Sequence, residues 1–199
     1  MFNFSLTNQI ILLAVLLIVS AFFSISETSL MSLNRYRLKH LAKSGNTGAK
    51  LASELLQETD KLLSVILLCN NFSNAAAATL VTVIAVQLYG NQEIIIMTGT
   101  LITTFLILIF SEISPKVIAA AHPEKLALSC SYILYPLLKV LYPIVLFVNI
   151  FVLGVLKIFN IKINFTQKNV ITMDELKSII SDSGKFIPNK NKSLLLNLI

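Results

Sequence analysis

Charged residues and tryptophan are scarce in this chain of 199 residues. Only 13% of the residues are charged, 55% are apolar, none is Trp, and the mean hydropathy is +0.79. A soluble domain carries about 25% charged residues, so this chain has too little polar material to cover a water-facing surface. The composition excludes a single soluble enzyme domain and predicts a membrane protein.

Residues that build disulfides, soft-metal sites and catalytic centres are also few. The only cysteines, Cys69 and Cys130, lie in apolar sequence and form no CxxC motif, so we expect two small packed side chains. The only histidines, His40 and His122, fall outside the predicted membrane spans, and the sequence has no GxSxG motif. We therefore predict that the protein is not an enzyme.

Positive charges are confined to a few segments. No Lys or Arg precedes Arg35, six lie between Arg35 and Lys61, and none lies between Leu62 and Pro115. This alternation is typical of short loops on opposite sides of a bilayer, whereas a nucleic-acid groove would also carry interleaved aromatic residues. We expect a lipid bilayer and no nucleic acid among the partners.

Three apolar runs are long enough to cross the roughly 30 Å hydrocarbon core as helices. They cover about residues 10–33, 62–89 and 94–118. The basic segment between the first two runs divides at a Ser-Gly-Asn-Thr-Gly turn, which predicts a helical hairpin over residues 35–61 at the cytoplasmic surface. By the positive-inside rule the N-terminus lies outside the cell and the C-terminus inside.

Residues 126–159 are apolar but contain Pro136, Lys139 and Pro143. A fourth span is the simplest interpretation of their hydropathy. Each internal proline would cost a helix about 3 kcal/mol, and a lysine near the bilayer centre would cost roughly 3 kcal/mol more. We therefore favour a kinked belt helix that lies along the cytoplasmic interface and wraps the three spans, within a transmembrane domain of residues 1–160.

The remaining residues, 161–199, are more polar. Thr172 to Glu175 fit a capping box that begins a short soluble helix. We expect a cytoplasmic helical linker here, and the apolar ending indicates that a further cytoplasmic domain follows.

Each predicted span carries one polar cluster, which is costly in a bilayer unless its groups are satisfied. The first cluster surrounds Ser24, the second contains Asn70 and Asn74, and the third contains Ser111 and Glu112. Asn70 and Asn74 lie one helical turn apart on one face, roughly 12 to 18 Å from the cytoplasmic end of their helix. The other clusters reach a similar depth, so we predict one shared site.

The donor atoms of these clusters favour a hard cation. Pro115 deprives the carbonyl of Ser111 of its usual helical partner, and the other groups offer amide, hydroxyl and carboxylate oxygens. Hard oxygens suit Mg²⁺ and Ca²⁺, while zinc, copper and iron would want His or Cys. Glu112 supplies the charge that such a cation needs.

Two alternatives stay open on the residues alone. The Asn and Ser groups could act only as interhelical contacts, with Glu112 paired to Lys116 one turn further on. Glu27 could join the site or pair with Arg35 or Lys39 at the interface.

The three clusters also resemble the motifs of a known family, the CorC/CNNM magnesium transporters, often described in bacteria as haemolysin-like. The matching segments read FFSISETSLMSLNRYRLKHL from Phe22, LLCNNFSNAAAATL from Leu67 and FSEISPKVIAA from Phe110. The family usually reads FSxxETAL, then GNNLVN, then GExxPK, in the same order. Cys69 and Ser111 stand where the family has glycine, and a main-chain ligand at either point could shift.

The resemblance implies three transmembrane helices, a cytoplasmic hairpin and a juxtamembrane belt helix, assembled as a homodimer in the cytoplasmic membrane. It implies that Ser24, Asn70, Asn74 and Glu112 bind a dehydrated Mg²⁺, to which we add the Ser111 carbonyl. It further implies Na⁺-dependent Mg²⁺ export, with nucleotide bound only by a CBS pair that would follow residue 199. The alternatives are a Mg²⁺ sensor that transports nothing and a carrier of Ca²⁺, Mn²⁺ or Co²⁺.

Overall fold

The computed structural model describes residues 5–90 and 93–158, and every regular element within them is a helix. The predicted all-α class is therefore confirmed for this part of the chain. The described residues belong mostly to the first of two units, Met1–Phe151, and the predicted linker at 161–199 lies outside them.

The helices α1 to α7 follow one another along the chain with short connections. They are α1 Leu6–Met31, α2 Arg35–Lys43, α3 Thr47–Leu55, α4 Thr59–Tyr89, α5 Glu93–Leu106, α6 Ser114–Ala121 and α7 Pro123–Ile158. A 3₁₀ turn, Leu56–Glu58, joins α3 to α4, and a π-helical segment, Ile107–Ile113, joins α5 to α6.

Four stretches of the described helices are long and apolar enough to cross a membrane. They are Leu6–Met31, Thr47–Tyr89, Ile96–Ala121 and Pro123–Phe147. The chain is thus a multi-helix membrane protein, as its composition predicts. Length and hydropathy leave open which of the four helices cross the bilayer.

The buried residues of α1 are mostly serines, and several of its exposed residues are large and apolar. Ser20, Ser24, Ser26 and Ser29 are each at most 1% exposed, whereas Ile18 is 69% exposed. This inverts the pattern of a soluble protein, because lipid tails cover apolar side chains and small residues let helices approach closely. The inversion places the polar groups of α1 against its protein neighbours.

Helices α2 and α3 occupy the segment in which the sequence predicts a hairpin. The Asn34 side chain accepts hydrogen bonds from the backbone N–H groups of Tyr36 and Arg37, and the Asn46 side chain accepts one from Ala49. Each asparagine thereby caps the N-terminus of the helix that follows it. Between the two helices, Gly45 turns the chain at a φ of 94°, a conformation that favours glycine.

The third apolar run is not one regular α-helix. The N–H of Ser114 donates to the carbonyl of Ile109, five residues earlier, so the backbone is widened by a π turn. Pro115 follows in the first turn of α6, where its missing N–H has no helical partner to lose. The sequence predicts the disturbance at Ser111–Pro115 but not the π geometry.

Helix α7 begins three residues before the predicted belt, directly after His122, and is continuous through Pro136 and Pro143. It contacts the segment between α1 and α4 closely. The Cβ of an alanine at Gly48 would lie 2.9 Å from the backbone oxygen of Leu128. Only a glycine allows this approach without a shift of one helix.

A continuous core lies where α1, α2, α3, α4 and α7 meet. Its buried members include Leu30, Leu38, Ala49, Leu55, Leu62, Ile66, Ala127 and Leu134. The core fixes the end of α1 nearest the hairpin. The polar residues of α1 and α4 continue from it toward the other end of the two helices.

Candidate functional site

Three polar side chains from α1 and α4 meet in the apolar part of the structure. The Ser20 hydroxyl lies 2.8 Å from Oδ1 of Asn70 and 2.6 Å from Oδ1 of Asn74. Ser20 is 1% exposed and Asn70 is 6% exposed. The predicted convergence of the two asparagines is therefore present, and α1 provides the residue between them.

This oxygen cluster has more acceptors than donors. A serine hydroxyl carries one proton and can donate to one amide oxygen at a time. Two amide oxygens directed at one hydroxyl thus leave lone pairs that a cation can use. The purely structural alternative is that one amide turns its NH₂ group toward Ser20 and closes a neutral hydrogen-bonded cluster.

Ser24 lies one helical turn beyond Ser20 on the same face of α1. It is fully buried, and its hydroxyl has no hydrogen-bond partner among the described residues. Leaving such a group unsatisfied costs about 1 to 3 kcal/mol. A buried hydroxyl without a partner, next to an acceptor-rich cluster, fits the ligand role predicted for it.

Ser111 connects the π-helical segment to α1. The side chain is 1% exposed, and its hydroxyl donates to the backbone carbonyl of Leu17 at 3.3 Å. Leu17 lies about one turn before Ser20 on α1, so the contact holds the π segment near the oxygen cluster. The predicted ligand was the backbone carbonyl of Ser111, which the adjoining π turn displaces from regular α geometry.

Glu112 contacts a lysine rather than the amide oxygens in the described structure. Its Oε1 lies 3.5 Å from Nζ of Lys116. The same ammonium lies 3.4 Å from Oε2 of Glu27 on α1. The structure therefore groups Ser20, Asn70 and Asn74 in one place and the two carboxylates around Lys116 in another.

Glu27 pairs with neither of the basic residues that the sequence offers as partners. The sequence leaves open a place in the site or a pair with Arg35 or Lys39, whereas the structure pairs Glu27 with Lys116. Arg35 instead donates from Nη1 to the carbonyl of Leu56 at 3.2 Å. The reason is that α6 packs along α1 and brings its lysine to a residue distant in sequence.

Ser20 is the functional candidate that the sequence analysis missed. A single serine in an apolar run gives a weak signal, because serine is common in the contacts between membrane helices. The sequence signal for Ser20 is its spacing: it lies one helical turn before Ser24 and two turns before Glu27, on the same face of the helix.

The chemistry of this region is restricted to hard oxygen donors. Within the described residues, no three His, Cys, Asp or Glu side chains come together as a metal cluster. Any cation held among Ser20, Asn70 and Asn74 would depend on hydroxyl and amide oxygens. Such donors suit Mg²⁺ and Ca²⁺.

The chain belongs to the cyclin M (CNNM) family, since residues 11–189 match the model of the cyclin M transmembrane N-terminal domain. The predicted family resemblance is confirmed. The match spans all the helices described above except the first residues of α1.

Proteins from bacteria and a plant are similar to the chain. It is 46% identical over 195 residues to a UPF0053 protein of Haemophilus influenzae, covering 98% of this chain and 46% of the relative. It is 39% identical over 181 residues to the UPF0053 inner membrane protein YfjD of Escherichia coli, covering 91% and 42%. It is 32% identical over 175 residues to the chloroplastic DUF21 domain-containing protein At1g55930 of Arabidopsis thaliana, covering 88% and 26%. The chain thus spans less than half the length of these relatives.

The Ser20 contact makes a testable contribution to stability. We expect Ser20→Ala to lower the free energy of unfolding by about 1 kcal/mol, because it removes the hydroxyl that joins α1 to the two asparagines. Ser73→Ala is the matched control, since that hydroxyl bonds only to the carbonyl of Cys69 in its own helix. Unfolding is followed in detergent with a chelator present. Equal losses in the two variants would contradict the assignment.

Proposed function

We propose that this protein exports Mg²⁺ across the cytoplasmic membrane and that Na⁺ entry drives the export. The binding site would consist of Ser24, Asn70, Asn74 and Glu112 with the carbonyl of Ser111. One observation carries the proposal: the acceptor-rich cluster around Ser20, with the unpartnered Ser24 hydroxyl one turn away.

The balance of charge in this site suits a transported ion. Most of its ligands are neutral oxygens, and Glu112 is the one carboxylate among them. A cation that must leave as well as enter needs a site of limited affinity. A resident structural Mg²⁺ or Ca²⁺ would more often be held by several carboxylates.

The π-helical segment supports an alternating-access mechanism. It contains Ser111 and Glu112 and connects α5 to α6, and π turns are often found at functional sites. The Ser111 hydroxyl ties this segment to α1 through a single hydrogen bond of 3.3 Å. A small local rearrangement there would change which side of the membrane reaches the oxygens.

Contacts along α7 support three membrane spans and a belt. Glu124 binds Arg37 at 2.7 Å, and the ring of Tyr142 lies 4.7 Å below the ammonium of Lys61. These two contacts are about 27 Å apart along α7, yet Arg37 lies on α2 and Lys61 in the first turn of α4, so both partners belong to the predicted hairpin region of residues 35–61. A helix that crossed the bilayer would leave this segment after a few turns.

A homodimer in the bilayer accounts for the exposed apolar side chains of α5. Ile94 is 77% exposed, Met97 70% and Leu101 66%, and this apolar face can be covered by lipid or by a second copy of the chain.

The relative YfjD is an inner membrane protein, and this supports the cytoplasmic membrane as the location of the present chain. The N-terminus would lie outside and the C-terminus inside.

The belt geometry can be tested by cysteine labelling. In a background of Cys69→Ser and Cys130→Ser, we expect Lys43→Cys, Lys125→Cys and Lys139→Cys to react with an impermeant maleimide from the same side of the membrane. Residue 139 lies about 21 Å beyond residue 125 along α7, so an interfacial α7 keeps both positions at the water surface. Failure of Lys139→Cys to react from that side, while Lys125→Cys reacts, would show that α7 enters the bilayer.

Transport can be tested with purified protein in liposomes. We expect Mg²⁺ flux that depends on an opposing Na⁺ gradient, and Glu112→Gln should reduce it to the background of protein-free liposomes because the site loses its charge. Glu93→Gln, an exposed carboxylate in the first turn of α5, is the control and should retain wild-type flux.

Two results would contradict this function. Mg²⁺ binding without flux in any gradient would identify a sensor. Flux of Ca²⁺, Mn²⁺ or Co²⁺ that Mg²⁺ does not compete with would identify another carrier, since Mg²⁺ demands a smaller and stricter octahedron.

A further inference from the structure

Lys116 lies between two carboxylates from different helices. Its ammonium is 3.4 Å from Oε2 of Glu27 and 3.5 Å from Oε1 of Glu112. The three side chains are between 24% and 36% exposed. The single ammonium thus contacts both carboxylates at nearly equal distances, so the two negative charges share one positive charge.

The position of Lys116 allows it to change partners without moving the backbone. Glu112 precedes it by four residues along the π segment and α6, whereas Glu27 belongs to α1. An ammonium on a four-carbon stem has three rotatable donors and adapts to either carboxylate. A rotation of the lysine side chain is enough to pass from one partner to the other.

A carboxylate that binds a divalent cation does not favour an ammonium at the same oxygens. Two positive charges a few ångströms apart repel strongly in a partly buried site. If Glu112 binds the cation, as the proposed function requires, the ammonium has to withdraw from it. Glu27 gives the ammonium a partner to withdraw to.

We propose that the Lys116 ammonium competes with the cation for Glu112: the ammonium moves to Glu27 when the cation binds, and its return to Glu112 promotes release of the cation. This inference rests on the proposed function and assigns a positioning role to Lys116 and Glu27. In this proposal Glu27 holds the lysine and does not bind the ion.

The first test compares direct binding of Mg²⁺ with transport in Lys116→Met. We expect the Kd for Mg²⁺ to fall by at least about fivefold, the lower end of couplings between linked sites, because the competitor is gone. In liposomes KM and kcat should fall together, since release slows. Lys116→Arg should restore wild-type values, and Lys125→Met, an exposed lysine on α7, should change neither.

The second test uses Glu27. Glu27→Gln should raise the Kd, because the ammonium then has only Glu112 as a partner. Glu27→Gln combined with Lys116→Met should bind as tightly as Lys116→Met alone. If the double variant binds more weakly than Lys116→Met, Glu27 is itself a ligand and the proposal is overturned.

The outcomes separate this inference from the function on which it rests. Wild-type protein that binds no Mg²⁺ in calorimetry would overturn the proposed function and this role with it. Wild-type binding together with an unchanged or weaker Kd in a monodisperse Lys116→Met would overturn the role of Lys116 alone, because a purely structural ion pair only loses stability when it is broken.

Discussion

Polar groups inside membrane helices must be satisfied by the protein itself, and this requirement organises the whole molecule. Water is absent from the hydrocarbon region, so each buried hydroxyl or amide needs a partner within the protein. On α1, Ser20 finds its partners on α4, whereas Ser26 and Ser29 donate to carbonyls of α1 itself. Helix α4 and the π segment with α6 pack against α1. Helix α1 is consequently the helix around which the others assemble.

Under the same requirement, the hydrogen bonds of the oxygen cluster differ from those of the other hydroxyls. Most of the hydrogen-bonded serine and threonine hydroxyls in the described helices donate to a carbonyl of their own helix, as Ser73 does to Cys69. Ser20 departs from this by reaching across to Asn70 and Asn74, and Ser24 departs from it by having no partner. Departures at one level of one helix pair are expected of a binding site rather than of general packing.

Much of this fold could be predicted from the sequence because its signals are local. The turn between α2 and α3, where the sequence reads Ser-Gly-Asn-Thr-Gly, depends only on neighbouring residues, and it lies where the sequence predicts it. The turn spacing of Asn70 and Asn74 likewise needs only helical geometry. The motifs around these residues were also sufficient to identify the family, which the match over residues 11–189 confirms.

The features that could not be predicted depend on how distant segments meet. The choice of Lys116 as partner for Glu27 follows from the packing of α6 on α1. The π turn arises where Pro115 and the contact between Ser111 and Leu17 act on one short segment. The continuity of α7 through Pro136 and Pro143 opposes local propensity, and packing against the hairpin supports it.

The proposed function requires that a divalent cation binds among the oxygens of Ser24, Asn70, Asn74 and Glu112 beside Ser20. Anomalous diffraction from crystals of the protein grown with Mn²⁺ would locate this cation, since Mn²⁺ replaces Mg²⁺ at hard-oxygen sites and is identified by its own scattering. We predict an anomalous peak between α1, α4 and the π segment that excess Mg²⁺ abolishes. A well-ordered structure in which the peak lies elsewhere, and the Ser20 cluster holds only its own hydrogen bonds, would contradict it.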